Sequence, residues 1–101
     1  MFQELEEARD RRQGIRLPME ITALAEEMEN RGDNRLMSVK SRDVSYTGAF
    51  FNCRVPFGLG SIVKLIMYLG NMIVEAFAKV VRVEAEGMAV HFTRTTVVPV
   101  A

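Results

Sequence analysis

The second half of the chain alternates apolar and polar residues with a period of two, and this pattern restricts the fold most. Every second residue between Ser61 and Leu69 is apolar, and the alternation returns over Met72 to Glu84 and again after Gly87. Successive side chains of a β-strand point to opposite faces, so each segment predicts a strand that buries one face. Gly70-Asn71 and Glu86-Gly87 supply the turns, and the pattern therefore predicts antiparallel hairpins.

Three further strands and one irregularity complete the prediction. The apolar phase slips at Val80-Val81, which predicts a β-bulge there. Leu36 to Val44 and Ala49 to Val55 have strand composition. Met19 to Glu26 is helical by propensity, but Pro18 before it and a turn-rich stretch at 30–34 favour a strand. Six strands with short turns predict a mainly β fold, a six-stranded antiparallel β-barrel.

We expect a single domain with three parts. Residues 1–17 form an N-terminal helix over Phe2 to Asp10 followed by an arm over residues 10–17, because Gly14 and Pro18 disfavour regular structure there. Residues 18–95 form the barrel, and residues 96–101 form a tail in which nothing is helical. We name residues 10–17 the arm.

Composition and residue pairing argue against several function classes. Lys+Arg and Asp+Glu both number 13, so no global field attracts a nucleic acid polymer. The lone Cys53 excludes an internal disulfide and suits a reducing cytoplasm. His91 has no companion histidine, and no nucleophile and base are paired, so we predict no metal, no cofactor and no enzyme activity. The most apolar stretch, Ile62 to Val81, contains three charged residues, and the N-terminus is acidic, so neither membrane insertion nor a signal peptide is predicted.

Two short motifs indicate a ligand site. Residues 11–16 read RRxxxR and residues 43–48 read DxSxxG. Arginine donates bidentate hydrogen bonds to phosphate oxygens and to guanine O6 and N7, and it stacks on bases. An ionised carboxylate such as Asp43 accepts both donors of the guanine Watson–Crick edge. Arg12 and Arg16 are four residues apart and share a side in a helix or a strand.

The two motifs in this order, ahead of strands that end in the hairpin VVRVE-turn-GMAVHF, resemble the bacterial PilZ domain from about Arg9 to Thr95. The resemblance implies the split-barrel fold and a receptor for cyclic di-GMP. It implies that Arg12 and Arg16 grip guanines and phosphates, that Asp43 and Ser45 hold one guanine, and that Gly48 shapes the turn.

The resemblance carries two finer expectations. An arginine at the position of Arg11 accompanies binding of an intercalated ligand dimer in this family, so we expect two ligands per domain. Family members place a helix after the last strand, whereas Val97 to Ala101 ends this chain without helical character. The chain is either an excised domain or a member that closes its barrel with the N-terminal helix.

The arm cannot bind on its own. Three charge-assisted contacts contribute roughly 5–9 kcal/mol, and ordering five or six arm residues costs about 1–2 kcal/mol each. A net affinity needs a rigid support for Asp43 and Ser45, and we expect a dissociation constant near micromolar, about −8 kcal/mol. We predict an arm that is disordered without ligand and closed with it.

Alternatives remain open. Arg94 is either a further guanidinium at the mouth of the site or a surface arginine, and the DxSxxG segment is a ligand contact, an Asx-type turn, or both. The main alternative function is a PilZ-like protein–protein adaptor that binds no nucleotide, and a small nucleic-acid-binding barrel is a third. The receptor would pass its signal to a downstream protein partner or a fused domain.

Overall fold

The predicted six-stranded antiparallel barrel is confirmed. The computed structural model describes residues 16–28 and 35–99, and no residue within those ranges is helical. The predicted helix at 2–10 lies outside the described residues. The strands of the described part close in the order β1-β2-β3-β6-β5-β4. They are β1 Thr22–Glu27, β2 Leu36–Val44, β3 Gly48–Asn52, β4 Ile62–Leu69, β5 Met72–Glu84 and β6 Gly87–Pro99.

The segment with helical propensity is strand β1, as predicted. Ala23 and Ala25 are buried in the barrel, while Thr22 and Leu24 face outward. β1 pairs with β2 on one side and with β4 on the other, which closes the barrel. Backbone pairing on both edges outweighs a helical preference of a few tenths of a kcal/mol per residue, roughly the spread of ordinary propensities.

The predicted bulge in β5 is also confirmed. The β5–β6 register shifts between Val80 and Arg82, which leaves Val81 as the extra residue. A second shift in the same ladder lies between Phe77 and Ala78, and β2 has one between Ser41 and Asp43. Bulges bend a strand and change the direction of its side chains. Those at Val81 and in β2 lie next to the site described below.

Two strand ends differ from the prediction. β3 ends at Asn52, so residues 53–55 belong to a loop. β6 runs on to Pro99, where residues 96–99 pair with the beginning of β5, so the predicted tail from residue 96 is corrected over those four residues. The β-branched residues before Pro99 favour this pairing, and a proline is tolerated at a strand end.

The barrel interior is a single apolar cluster that spans all six strands, with Phe51, Leu65 and Met88 fully buried. One polar side chain lies within it. The Ser41 hydroxyl accepts a hydrogen bond from the Ile21 backbone N–H at 2.7 Å and donates one to the Met19 carbonyl at 2.5 Å. It thereby attaches the segment before β1 to β2, the strand that carries the predicted aspartate.

Candidate functional site

The chain enters the barrel beside the end of β2. Leu17 and Val44 exchange two backbone hydrogen bonds, of 2.8 and 2.9 Å. Arg16 is therefore fixed next to Asp43, 27 positions later in the sequence. The arm is paired with β2 at its last residue, Leu17, whereas residues 10–15, on which most of the predicted disorder falls, lie outside the described residues.

Asp43 is paired on both carboxylate oxygens. Oδ1 accepts a hydrogen bond from Arg16 Nη1, and Oδ2 accepts one from Arg42 Nε at 3.1 Å. The aspartate side chain is 17% exposed, whereas both arginines are about half exposed. The bulge in β2 makes this possible, since it leaves Arg42 without a cross-strand partner beside Asp43. Ion pairs with exposed partners contribute about 0–1 kcal/mol each, so they can exchange for a ligand.

The turn between β2 and β3 is held by Ser45. Its hydroxyl accepts hydrogen bonds from the backbone N–H groups of Thr47 and Gly48 at 3.3 and 3.1 Å, and its own N–H donates to the Gly48 carbonyl at 2.7 Å. This is a side-chain-to-backbone turn of the kind that serine favours. The serine therefore shapes the end of β3 and places its hydroxyl at the edge of the site.

Gly48 lies where two strands approach closely. It pairs with His91 of β6, and a Cβ built at this position would lie 2.2 Å from the carbonyl oxygen of Val90. No side chain fits there without separating β3 from β6. The glycine of the motif is therefore required by a close backbone approach.

A cleft of about 230 Å³ lies on the outer face of the barrel over this region. Its basic side chains are Arg16, Arg82 and His91, and no carboxylate is among its described lining residues. Gly48 and Ala89 contribute a floor of small residues. The remaining lining residues are Ser45, Thr47, Val81 and Val90. A cleft that has arginine side chains at its sides and small residues at its base suits a flat anion.

Phe50 forms a buried aromatic surface beside the cleft. It faces outward, since its neighbours Ala49 and Phe51 belong to the interior cluster, yet it is 0% exposed. The Arg42 guanidinium covers its ring at 3.9 Å from the centroid, and that of Arg82 lies at 5.9 Å. Cation–π contacts of this kind hold guanidinium groups flat on a ring. The side chains of Arg42 and Arg82 nevertheless stay about half exposed, at 48% and 49%.

A model of the PilZ domain matches residues 10–99, which is most of the chain. The chain belongs to the PilZ family. PilZ domains are a known family of cyclic di-GMP-binding modules. No curated protein matches the sequence.

In this PilZ domain, four of the seven predicted site residues come together. Arg16, Ser45 and Gly48 line the cleft, and Asp43 holds Arg16 at its margin. Arg11 and Arg12 lie outside the described residues. Arg94 lies on β6 opposite Phe77 and is not among the residues that line the cleft.

Sequence reasoning missed three basic residues of this face: Arg42, Arg82 and His91. The alternation placed Arg82 and His91 on the polar side of β5 and β6, and the predicted bulge marked the point where β5 changes direction. What the pattern lacked was the long-range β3–β6 register, which pairs Phe50 with Ala89, the partner of Arg82, and so brings the guanidinium over Phe50. The position of Arg42 beside Asp43 was also not predicted, because the β2 bulge between Ser41 and Asp43 does not change the alternation of apolar and polar residues.

Membrane spans and metal sites were the other features considered for residues 16–28 and 35–99. No helix in those ranges is long and apolar enough to cross a membrane. No group of three or more His, Cys, Asp or Glu side chains is arranged to hold a metal ion there. Burial raises the pKa of the Cys53 thiol, and the nearby Arg35 opposes this to a smaller extent.

Proposed function

We propose that this PilZ domain binds cyclic di-GMP at the cleft between the arm and the outer face of β3, β5 and β6. The observation that carries the proposal is the Arg16–Asp43 pair. It joins the two sequence motifs at the margin of a cleft that is lined by further basic groups. The motif residues and the cationic cleft thus form one site.

Binding begins with an exchange at Asp43. A guanine edge that donates two hydrogen bonds to the carboxylate replaces the contacts from Arg16 and Arg42, which contribute about 0–1 kcal/mol each because they are exposed. The exchange keeps two hydrogen bonds on the carboxylate. Its gain lies in the release of two guanidinium groups, which can then contact phosphates or stack on bases.

The size of the cleft supports a role for the arm. A volume of about 230 Å³ is below the ~300–1,000 Å³ of pockets that enclose a small molecule. We propose that Arg11 and Arg12 complete the enclosure from the arm and that an intercalated ligand dimer occupies the site. Because Leu17 is fixed to Val44 by two backbone hydrogen bonds, this last residue of the arm needs no ordering on binding, which lowers the entropic cost.

In this proposal the domain acts as a switch in the bacterial cytoplasm. It catalyses no reaction and needs no cofactor. Closure of the arm changes the surface next to β2 and β3, and a downstream protein or fused domain recognises the change. The lone thiol Cys53 is consistent with a reducing compartment.

Calorimetric titration with cyclic di-GMP tests the proposal. The wild type is expected to bind near micromolar with two ligands per domain, and Arg12→Ala, Arg16→Ala and Asp43→Ala to weaken binding at least about tenfold, the equivalent of ~1.4 kcal/mol. Arg54→Ala is the matched control, because Arg54 is exposed in the loop after β3 and should leave binding unchanged. No heat from the wild type at high micromolar ligand overturns the proposal, and a stoichiometry of one removes the dimer.

A further inference from the structure

Two basic residues, Lys79 and His91, lie opposite each other on the outer face of the barrel. They are partners in the β5–β6 ladder, and the next pair, Val80 and Val90, is buried in the interior. Lys79 and His91 are both exposed, and side chains paired in this way have Cβ atoms about 5 Å apart. His91 also lines the cleft, where its partner on β3 is Gly48. Lys79 therefore continues the basic side of the cleft across β5.

No described carboxylate neutralises this pair. Among the residues that the structure describes, no acidic side chain lies within ion-pair distance of Lys79 or His91. Positive charges directly opposite each other destabilise a sheet, and natural proteins keep such local conflicts mainly at functional sites. The charged groups around His91 are Lys79 on β5, Arg82 on β5 with its partner Glu84, Arg94 on β6, and Arg16 across the cleft with its partner Asp43.

The position of the pair suits the second half of the proposed ligand. Cyclic di-GMP has two phosphodiesters on one ring, whereas Asp43 is a partner for a base. Along β6, His91 lies two residues from Ala89, the strand partner of Arg82, which is a distance of about 7 Å. A lysine binds phosphate as a point charge, and a protonated imidazole donates a hydrogen bond from either ring nitrogen. The pair can thus hold a phosphate while Arg82 lies beside a base.

We propose that Lys79 and His91 bind a phosphodiester of the cyclic dinucleotide, and that His91 does so in its protonated form. This inference rests on the proposed function and adds a dependence on pH. Histidine is the side chain that ordinarily changes charge between about pH 5 and 8, and His91 is the single histidine of the chain. A neighbouring anion favours the charged imidazole. Binding therefore takes up a proton near neutral pH, and affinity falls as the pH rises.

Calorimetric titration with cyclic di-GMP in buffers of different ionisation enthalpy tests the proposal, because the difference in heat counts the protons taken up. The wild type should take up a fraction of a proton near neutral pH. Its affinity should be about threefold to fivefold weaker at pH 8 than at pH 6, the factor expected for one exposed ion pair. His91→Gln keeps a polar side chain that does not titrate, so it should take up no proton and bind equally at both pH values.

Two lysine variants separate the roles. Lys79→Gln should weaken binding by a similar factor at every pH and should retain the proton uptake, because the lysine stays charged throughout. Lys64→Gln is the matched control, since Lys64 lines a different groove beside Leu24 and pairs with Glu75. It should bind as the wild type does.

The possible failures are distinguishable. Wild-type binding without proton uptake overturns the inference and leaves the proposed function intact, and so does a His91→Gln variant that takes up as many protons as the wild type. Affinity that is unchanged in Lys79→Gln removes the lysine from the phosphate contact. A wild type that does not bind at all removes the proposed function, and the inference falls with it.

Discussion

Gly48→Ala is the substitution that tests most sharply how the barrel builds its site. The added Cβ would lie 2.2 Å from the Val90 carbonyl oxygen, and real Cβ atoms essentially never come closer than 3.0 Å. The two strands must therefore separate by about 0.8 Å at this point. The contact is with backbone, so no side-chain rotation relieves it.

The magnitude follows from two contributions. Overpacking costs about 1–3 kcal/mol, and weakening the Ser45 N–H to Gly48 carbonyl bond costs about 1 kcal/mol more. We expect a loss of about 2–4 kcal/mol in the free energy of unfolding, which lowers a urea midpoint by roughly 1–2 M for a denaturant slope near 2 kcal/mol/M.

Urea denaturation followed by circular dichroism measures this loss. Gly58→Ala is the control, because a Cβ at that exposed glycine would have as its nearest atom the Ser61 hydroxyl oxygen at 3.7 Å, an ordinary contact. It should change stability by less than about 0.5 kcal/mol. Equal stabilities for the two variants would refute the argument that a close backbone approach requires Gly48.

Three further predictions follow from the structure, two on substitutions and one on the reactivity of a thiol. Ser41→Ala should destabilise the fold by about 1–3 kcal/mol in the same denaturation assay, because the buried Ile21 N–H and the part-buried Met19 carbonyl lose their partner; a loss equal to that of exposed Ser38→Ala would contradict this. Gly70→Ala should cost about 1–2 kcal/mol, since Gly70 has a φ of 59°; an unchanged urea midpoint would argue against it. The Cys53 thiol should alkylate more slowly than a free thiol, with a rate that rises to higher pH, because burial raises its pKa; an ordinary pH midpoint would contradict the burial.

The fold was predictable because its main signal is local. The alternation over β4 and β5 and the turn at Gly70-Asn71 need no knowledge of distant residues, and even the bulge at Val81 appears as a slip of phase. The end of β6 was mispredicted because its pairing with the start of β5 is a long-range contact. A proline at the last position of an edge strand does not interrupt the ladder.

The site was predictable in part, and the reason is again physical. Asp43, Ser45 and Gly48 lie at and beside the one turn that joins β2 to β3, so their spacing in the sequence corresponds to their geometry. Arg82 and Phe50 are brought together only by the β3–β6–β5 register. Sequence spacing carries no information about such contacts, and the cationic wall of the cleft was therefore missed.

The measurement that tests the central claim most directly is a two-dimensional 15N–1H NMR titration with cyclic di-GMP. We predict that the largest chemical-shift changes fall on the arm and on the backbone signals of four cleft residues, Arg16, Ser45, Gly48 and His91. The backbone signal of Leu24, which faces outward on β1 and does not line the cleft, should stay unchanged. No shifts at high micromolar ligand, or shifts that are confined to the Leu24 face, would contradict the account.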